Sequence, residues 1–255
     1  MIVLIPSYKR TDILPLVIRS AVSCDITDID ERIVLLVVNN YFPNKEIVDS
    51  IIEDCEFPKE ITCKVIHRKE AKVPIESWFS AIFTVAQDNE VVCLLGDDDI
   101  LMPWGLKNRY RQITESNADM LLTDYYDHIF FFDKGKQYRF DGDLSNFSSP
   151  EIAPVDWEYM PKEHPNASFM SNHCYRNTKT FRLGYETTMT WSRAQSWVPL
   201  EVASGNCPFY MAYAIKSVGG SVIATHEKNV LRGSVVEEAL IQDYADGGNS
   251  SFYAL

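Results

Sequence analysis

The chain has 255 residues, 46% of them hydrophobic, and a formal charge of −12. That size fits one large α/β domain, or one domain plus a small appendage, and the apolar share is enough for a substantial core, so a disordered chain is excluded. Lys and Arg total 24 against 36 Asp and Glu, with no basic run longer than His67-Arg68-Lys69; this argues against nucleic acid as a partner, because displacing phosphate counterions needs a basic face.

Ile2 to Ile5 is a short β-branched run that stops at Pro6 and reads as a buried parallel strand. Thr11 or Asp12 is placed to cap a helix in which Ile13, Leu14, Val17, Ile18 and Ala21 recur at helical spacing. Arg32 to Val38 reads as a second buried strand ending at Asn39-Asn40, followed by a helix from about Asn44 to Cys55 and a third strand from Ile61 to His67. Ile75 to Gln87 reads as a helix, and Glu90 to Leu95 as a fourth strand that runs into Gly96-Asp97-Asp98-Asp99, with another helix near Pro103 to Gln112. This βαβαβαβ order implies a mostly parallel sheet with helices on both faces, whose ligands sit beyond the carboxyl ends of the strands. Pro6-Ser7-Tyr8, Asn39-Asn40 and the Asp triplet all fall at that edge.

The second half is less regular. Met120 to Thr123 begins a strand, and Ile129 to Phe132 with Tyr138 to Phe140 reads as a hairpin. Residues 143–185 have weak periodicity and are rich in Asn, Ser, Pro and aromatic residues. Thr187 to Trp191 is strand-like, Pro208 to Ser217 helical, and Ser221 to Thr225 one more strand. None of the six cysteines (Cys24, Cys55, Cys63, Cys93, Cys174, Cys207) forms a C-x-x-C pair, so they read as reduced, mostly buried thiols. No stretch approaches the length of a membrane span, and no signal segment leads the chain; a cytoplasmic protein is expected, and the sequons at Asn146, Asn166 and Asn249 read as chance matches.

The triplet Asp97-Asp98-Asp99 is the strongest chemical signal. Adjacent carboxylates raise one another's cost of ionisation, and a cation relieves that cost. Oxygen-only ligands suit Mg²⁺ or Mn²⁺, which also take phosphate oxygens, and a metal there would act as a Lewis acid on a diphosphate leaving group. An acidic loop capping the next helix is the plainer alternative, but a cap needs one Asp, not three.

The run Val91-Val92-Cys93-Leu94-Leu95-Gly96-Asp97-Asp98-Asp99-Ile100-Leu101-Met102-Pro103 resembles the metal-binding segment of family 2 glycosyltransferases with the GT-A fold. The opening Ile2-Val3-Leu4-Ile5-Pro6-Ser7-Tyr8-Lys9-Arg10 is similar to that family's first strand and nucleotide loop. Glu76 to Ala81, Thr190 to Arg193, the helix at 208–217 and Gly219 to Ile223 follow the family's order; the likeness covers 1–113 well and 187–233 loosely.

The resemblance implies a single GT-A-like α/β domain, with a nucleotide-sugar-binding half at 1–113 and an acceptor-binding half at 114–255 that carries the insert at about 143–185. It implies a UDP-, dTDP- or GDP-sugar donor, a glycan or lipid-linked sugar acceptor, Mn²⁺ or Mg²⁺, and a place in polysaccharide biosynthesis, compatible with peripheral contact at the inner face of a membrane. Pro6, Ser7 and Tyr8, with Arg10, would line the nucleotide pocket, and Asn39 falls where the family has an Asp that accepts a bond from the base. Asp97 would face ribose or metal and Asp99 the metal, or Asp98 if the register shifts by one. His226 would complete the metal shell, and Arg232 would contact the diphosphate.

The family's catalytic carboxylate is missing: Gly205-Asn206-Cys207-Pro208 occupies its place, and Asn is no general base. Glu201, just upstream, is the first candidate, and Asp156 in the insert the alternative. The aromatic residues of the insert and after it would form an acceptor groove or a second small core. Two other readings stay open. A sugar nucleotidyltransferase would share the sheet and the carboxylates, but the loop Pro6 to Arg10 lacks its glycines. A non-catalytic carbohydrate- or nucleotide-sugar-binding protein would keep the fold without the base.

Overall fold

The computed structural model describes residues 1–132, 138–140, 153–154, 170–194 and 207–236. The first half follows the sequence pattern: β1 (Ile2–Ser7), α1 (Leu14–Val22), β2 (Ile33–Asn39), α2 (Lys45–Glu53), β3 (Ile61–His67), α3 (Pro74–Val85), β4 (Val91–Leu94), the short β5 (Ile100–Leu101) and α4 (Gly105–Glu115). In the second half come β6 (Met120–Phe132), β7 (Tyr138–Phe140), β8 (Ala153–Pro154), β9 (His173–Arg176), α5 (Lys179–Ala194), α6 (Cys207–Ser217) and β10 (Val222–Val236).

Among the described residues ten strands join one sheet, in the order β3-β2-β1-β4-β9-β6-β10-β5, with β7 on β6 and β8 on β10. The first four strands, in the order β3-β2-β1-β4, are wholly parallel, as strands linked by helical crossovers require. β9 enters antiparallel between β4 and β6, with Cys93 opposite Cys174 and Leu121 opposite Cys174. Alternate residues feed two cores. Val3, Ile5, Leu35, Val37 and Cys93 pack with α1 and α4 on one face, while Ile2, Leu4, Val34, Leu36 and Leu94 pack with α3, α5 and α6 on the other. The period of two along each strand therefore produces a helix layer on both sides.

Several local expectations change. Thr187 to Trp191 belongs to α5, not to a strand: Phe181 and Thr188 are fully buried and Tyr185 packs beside Phe79 and Phe83, a helical spacing that outweighs the strand preference of the Thr-rich run. Met120 to Thr123 and Ile129 to Phe132 are one continuous strand, and β10 runs on to Val236. Neither Thr11 nor Asp12 caps α1, whose N-cap is Ile13 without a side-chain bond and whose first turn carries Pro15. Within 170–185, read from sequence as irregular, lie a 3-10 turn (Met170–Asn172), β9 and the start of α5. No helix among the described residues is long and apolar enough to cross a membrane.

Candidate functional site

β4 carries four fully buried residues, and Leu95 extends it by donating its N–H to Leu4 O at 2.9 Å. The chain then reverses over Gly96-Asp97-Asp98-Asp99, closed by Asp99 N–H to Gly96 O at 3.2 Å. β5 fixes the exit of this turn by pairing Ile100 with Leu231 and Leu101 with Val230 of β10. The carboxylates thus stand at the carboxyl end of the parallel strands, next to the turn after β1. Asp98 does not cap the following helix either, since the N-cap of α4 is Trp104 without a side-chain bond.

The three carboxylates point to different partners. Asp97 is 2% exposed, and its Oδ2 accepts the Tyr8 backbone N–H at 3.4 Å. Burial pushes its carboxyl up to about 7, against the pull of the Arg10 charge and with a further push from Asp98. Asp98 is the accessible one, and its Oδ2 accepts from Arg10 Nη1 at 2.7 Å. Arg10 Nη1 also lies 3.6 Å from Asp97 Oδ1. Asp99 turns inward: its Oδ2 accepts the hydroxyl of Ser171 at 2.5 Å, and the same hydroxyl accepts Gly96 N–H at 2.6 Å. Gly96 is required here, because a Cβ on it would stand 2.5 Å from Asp99 Oδ2. Ser171 is held in turn by the buried Arg109 of α4, whose Nη2 donates to the Ser171 carbonyl.

A metal is not the triplet's sole source of positive charge. Arg10, from the loop after β1, supplies a cation to two of its three members. Ser171, which sequence reasoning missed, anchors the third; it lies 72 residues beyond Asp99, and nothing local to it marks that partnership.

Among the described residues, no group of three His, Cys, Asp or Glu side chains converges as a ready metal shell. The chemistry still fits a divalent cation. Asp97 and Asp98 turn toward one point, Asp98 is the more exposed of the two, and Mg²⁺ or Mn²⁺ completes its shell with phosphate and water oxygens when one or two carboxylates hold it. His226 lies in the register shift of β10 between Ala224 and Lys228, and its Nδ1 is 2.9 Å from Asp124 Oδ2 of β6. Arg232 follows Leu231, the β10 residue paired with Ile100, so its backbone runs beside the exit of the triplet.

The proposed base reader is built into the fold. Asn39 is fully buried; its Oδ1 accepts Tyr41 N–H at 3.0 Å and its Nδ2 meets His67 Nδ1 at 3.1 Å. His67 Nε2 in turn lies 2.8 Å from Asp49 Oδ1. The rings of Tyr8 and Tyr41 meet edge-on at 5.6 Å, and the Lys9 ammonium stands 5.1 and 5.3 Å from their centres. β1 runs through Pro6 to Ser7, one step past the stop expected at Pro6, and Ser7 Oγ donates to the Arg10 carbonyl at 3.4 Å, fixing the loop that carries the guanidinium. Glu201, Asp156 and Asn206 lie outside the described residues.

No family model matches the chain, and no curated protein matches it. Among solved structures, S. aureus TarS 1-349 in complex with UDP superposes with a TM-score of 0.57 over 92% of this chain at 13% identity. The same fragment in complex with UDP-GlcNAc gives 0.56 over 93% at 12%, and S. aureus TarS gives 0.56 over 93% at 14%. The chain spans 60%, 59% and 37% of those three chains respectively. The fold is thus GT-A-like, an α/β sheet with helices on both faces.

Proposed function

We propose that this chain is a nucleotide-sugar-dependent glycosyltransferase of family 2. It would move a hexose or deoxyhexose from a UDP-, dTDP- or GDP-sugar to a hydroxyl of a glycan or lipid-linked sugar, with inversion and with Mn²⁺ or Mg²⁺. The observation that carries this reading is the carboxylate turn at the end of β4, faced by Arg10 from the end of β1. Its support is that the same fold holds UDP and UDP-GlcNAc in TarS.

In this reading Pro6, Ser7 and Tyr8 line the nucleotide, Asp97 and Asp98 hold the cation, and Asp99 keeps the turn in shape through Ser171. When bound, the cation would withdraw charge from the leaving diphosphate. Arg10 and Arg232 are the positive groups for the phosphates. His226 would join the shell through Nε2, with Nδ1 kept on Asp124. The base comes from the second half, Glu201 first and Asp156 next, because the triplet is committed to the leaving group. The division into a nucleotide half at 1–113 and an acceptor half after it belongs to the same proposal, as does a cytoplasmic place at a membrane's inner face in polysaccharide synthesis.

A second reading, a nucleotide-sugar-binding protein without turnover, is favoured by Asn39, whose amide is already used inside the protein. Incubation with a panel of nucleotide sugars and Mn²⁺ separates them. Turnover of a donor without pyrophosphate release supports transfer, binding without turnover supports the second reading, and pyrophosphate release points to a nucleotidyltransferase.

A further inference from the structure

Arg10 stands where a divalent cation and a diphosphate would meet. Its Nη1 lies 2.7 Å from Asp98 and 3.6 Å from Asp97, and the side chains of Arg10, Asp98 and Asp97 are only 14%, 20% and 3% exposed. A dication and a guanidinium cannot share those oxygens: they repel one another across the same few ångströms, weakly screened in so buried a place. The guanidinium has a second partner to go to, since its planar fork matches phosphate oxygens. The backbone around it is fixed, with Lys9 at φ 63° and the Arg10 carbonyl held by Ser7, so a change of partner falls to the long side chain alone.

We infer that Arg10 is an exchange residue. In the ligand-free protein it occupies Asp98 and shields Asp97; on donor binding it turns to the diphosphate and frees both carboxylates for the cation. Cation and nucleotide then bind cooperatively, each raising the other's affinity by one shared factor. Neither is favoured alone, because the cation would have to displace a paired guanidinium and the diphosphate would face bare carboxylates. This rests on the donor-binding reading above.

The test is calorimetric titration of the full chain with MnCl₂ alone, UDP alone, and UDP in the presence of MnCl₂, for the parent, Arg10→Gln and Arg10→Lys. In the parent, UDP should tighten Mn²⁺ binding by about tenfold or more, a common size for coupling between sites. Arg10→Gln should bind Mn²⁺ alone several-fold more tightly than the parent and should show a smaller coupling, since only the direct cation–phosphate contact remains. Arg10→Lys keeps a positive charge without the fork and should fall between the two; it also serves if the Gln variant melts early. The idea is overturned if Arg10→Gln binds Mn²⁺ alone no better than the parent, or if its coupling is as large as the parent's. Should UDP bind no variant, the donor reading falls and cooperativity with it, while the MnCl₂-alone comparison still decides whether Arg10 occupies the cation's place.

Discussion

One hydroxyl closes the carboxylate turn from both ends: Ser171 Oγ donates to Asp99 Oδ2 at 2.5 Å and accepts from Gly96 N–H at 2.6 Å. The residue ahead of β9 therefore shapes the turn that follows β4, and Arg109 holds that residue in place from α4. Ser171→Ala removes the hydroxyl's two buried bonds, to Gly96 N–H and to the Asp99 carboxylate. A stability loss of roughly 1–3 kcal/mol is expected, read as a lower denaturant midpoint, together with weaker Mn²⁺-dependent UDP binding.

Asp97→Ala and Asp99→Ala should each weaken Mn²⁺-dependent UDP binding, by different routes. Asp97 loses an oxygen that faces the cation's place, so binding falls while the fold holds. Asp99 loses the tie to Ser171, so binding and stability fall together. Calorimetry paired with melting curves separates the two; unchanged, metal-independent UDP binding in both variants would refute the assignment.

Glu227 on β10 gives a pH test away from this turn. It is 1% exposed and accepts bonds from Asn108 and Gln112 of α4. Burial raises its carboxyl above the usual glutamate range, although Arg111 and the two amides pull the other way. The folded protein therefore keeps this proton to higher pH than the unfolded chain does. Stability contributed by that proton is complete below the unfolded value and is lost as pH rises through the folded one. Glu227→Gln removes the dependence, so the parent should lose ground to the variant as pH climbs above the ordinary glutamate range. Urea midpoints of both proteins across pH check this, and parallel curves would contradict it.

Glu201→Gln keeps size and polarity but removes basicity. Donor binding should survive, and transfer should fall by ~10²-fold or more. Transfer at the parent rate would remove Glu201 as the base, and Asp156→Asn becomes the variant to assay.

β1, β2 and β4 were legible because each is a short, mostly apolar run, and β3, an edge strand with Thr62, Lys64 and His67 among its apolar residues, because it continues the alternation with helices that fixes a parallel sheet. The triplet was legible because three adjacent carboxylates are costly anywhere. Its partners were not: Arg10 lies 88 residues from Asp98 in the chain and Ser171 72 from Asp99, and only the sheet order brings them together. Helix α5 was misread because Thr187, Thr188 and Thr190 favour strands locally, whereas the Phe79, Phe83, Tyr175 and Phe181 cluster decides the packing.

The position of β9 limits how this protein can be cut and recombined. β4 has β1 on one side and β9 on the other, and Cys93 meets its opposite number 81 residues later. A fragment ending at residue 113 would expose the free edge of a strand with no polar side chain, a template for pairing with another copy. Expressed alone it should aggregate or swap strands, as light scattering would report. During synthesis β4 has to wait for its partner, and a chimera that grafts a foreign second half onto residues 1–113 must carry Met170 to Arg176 with it.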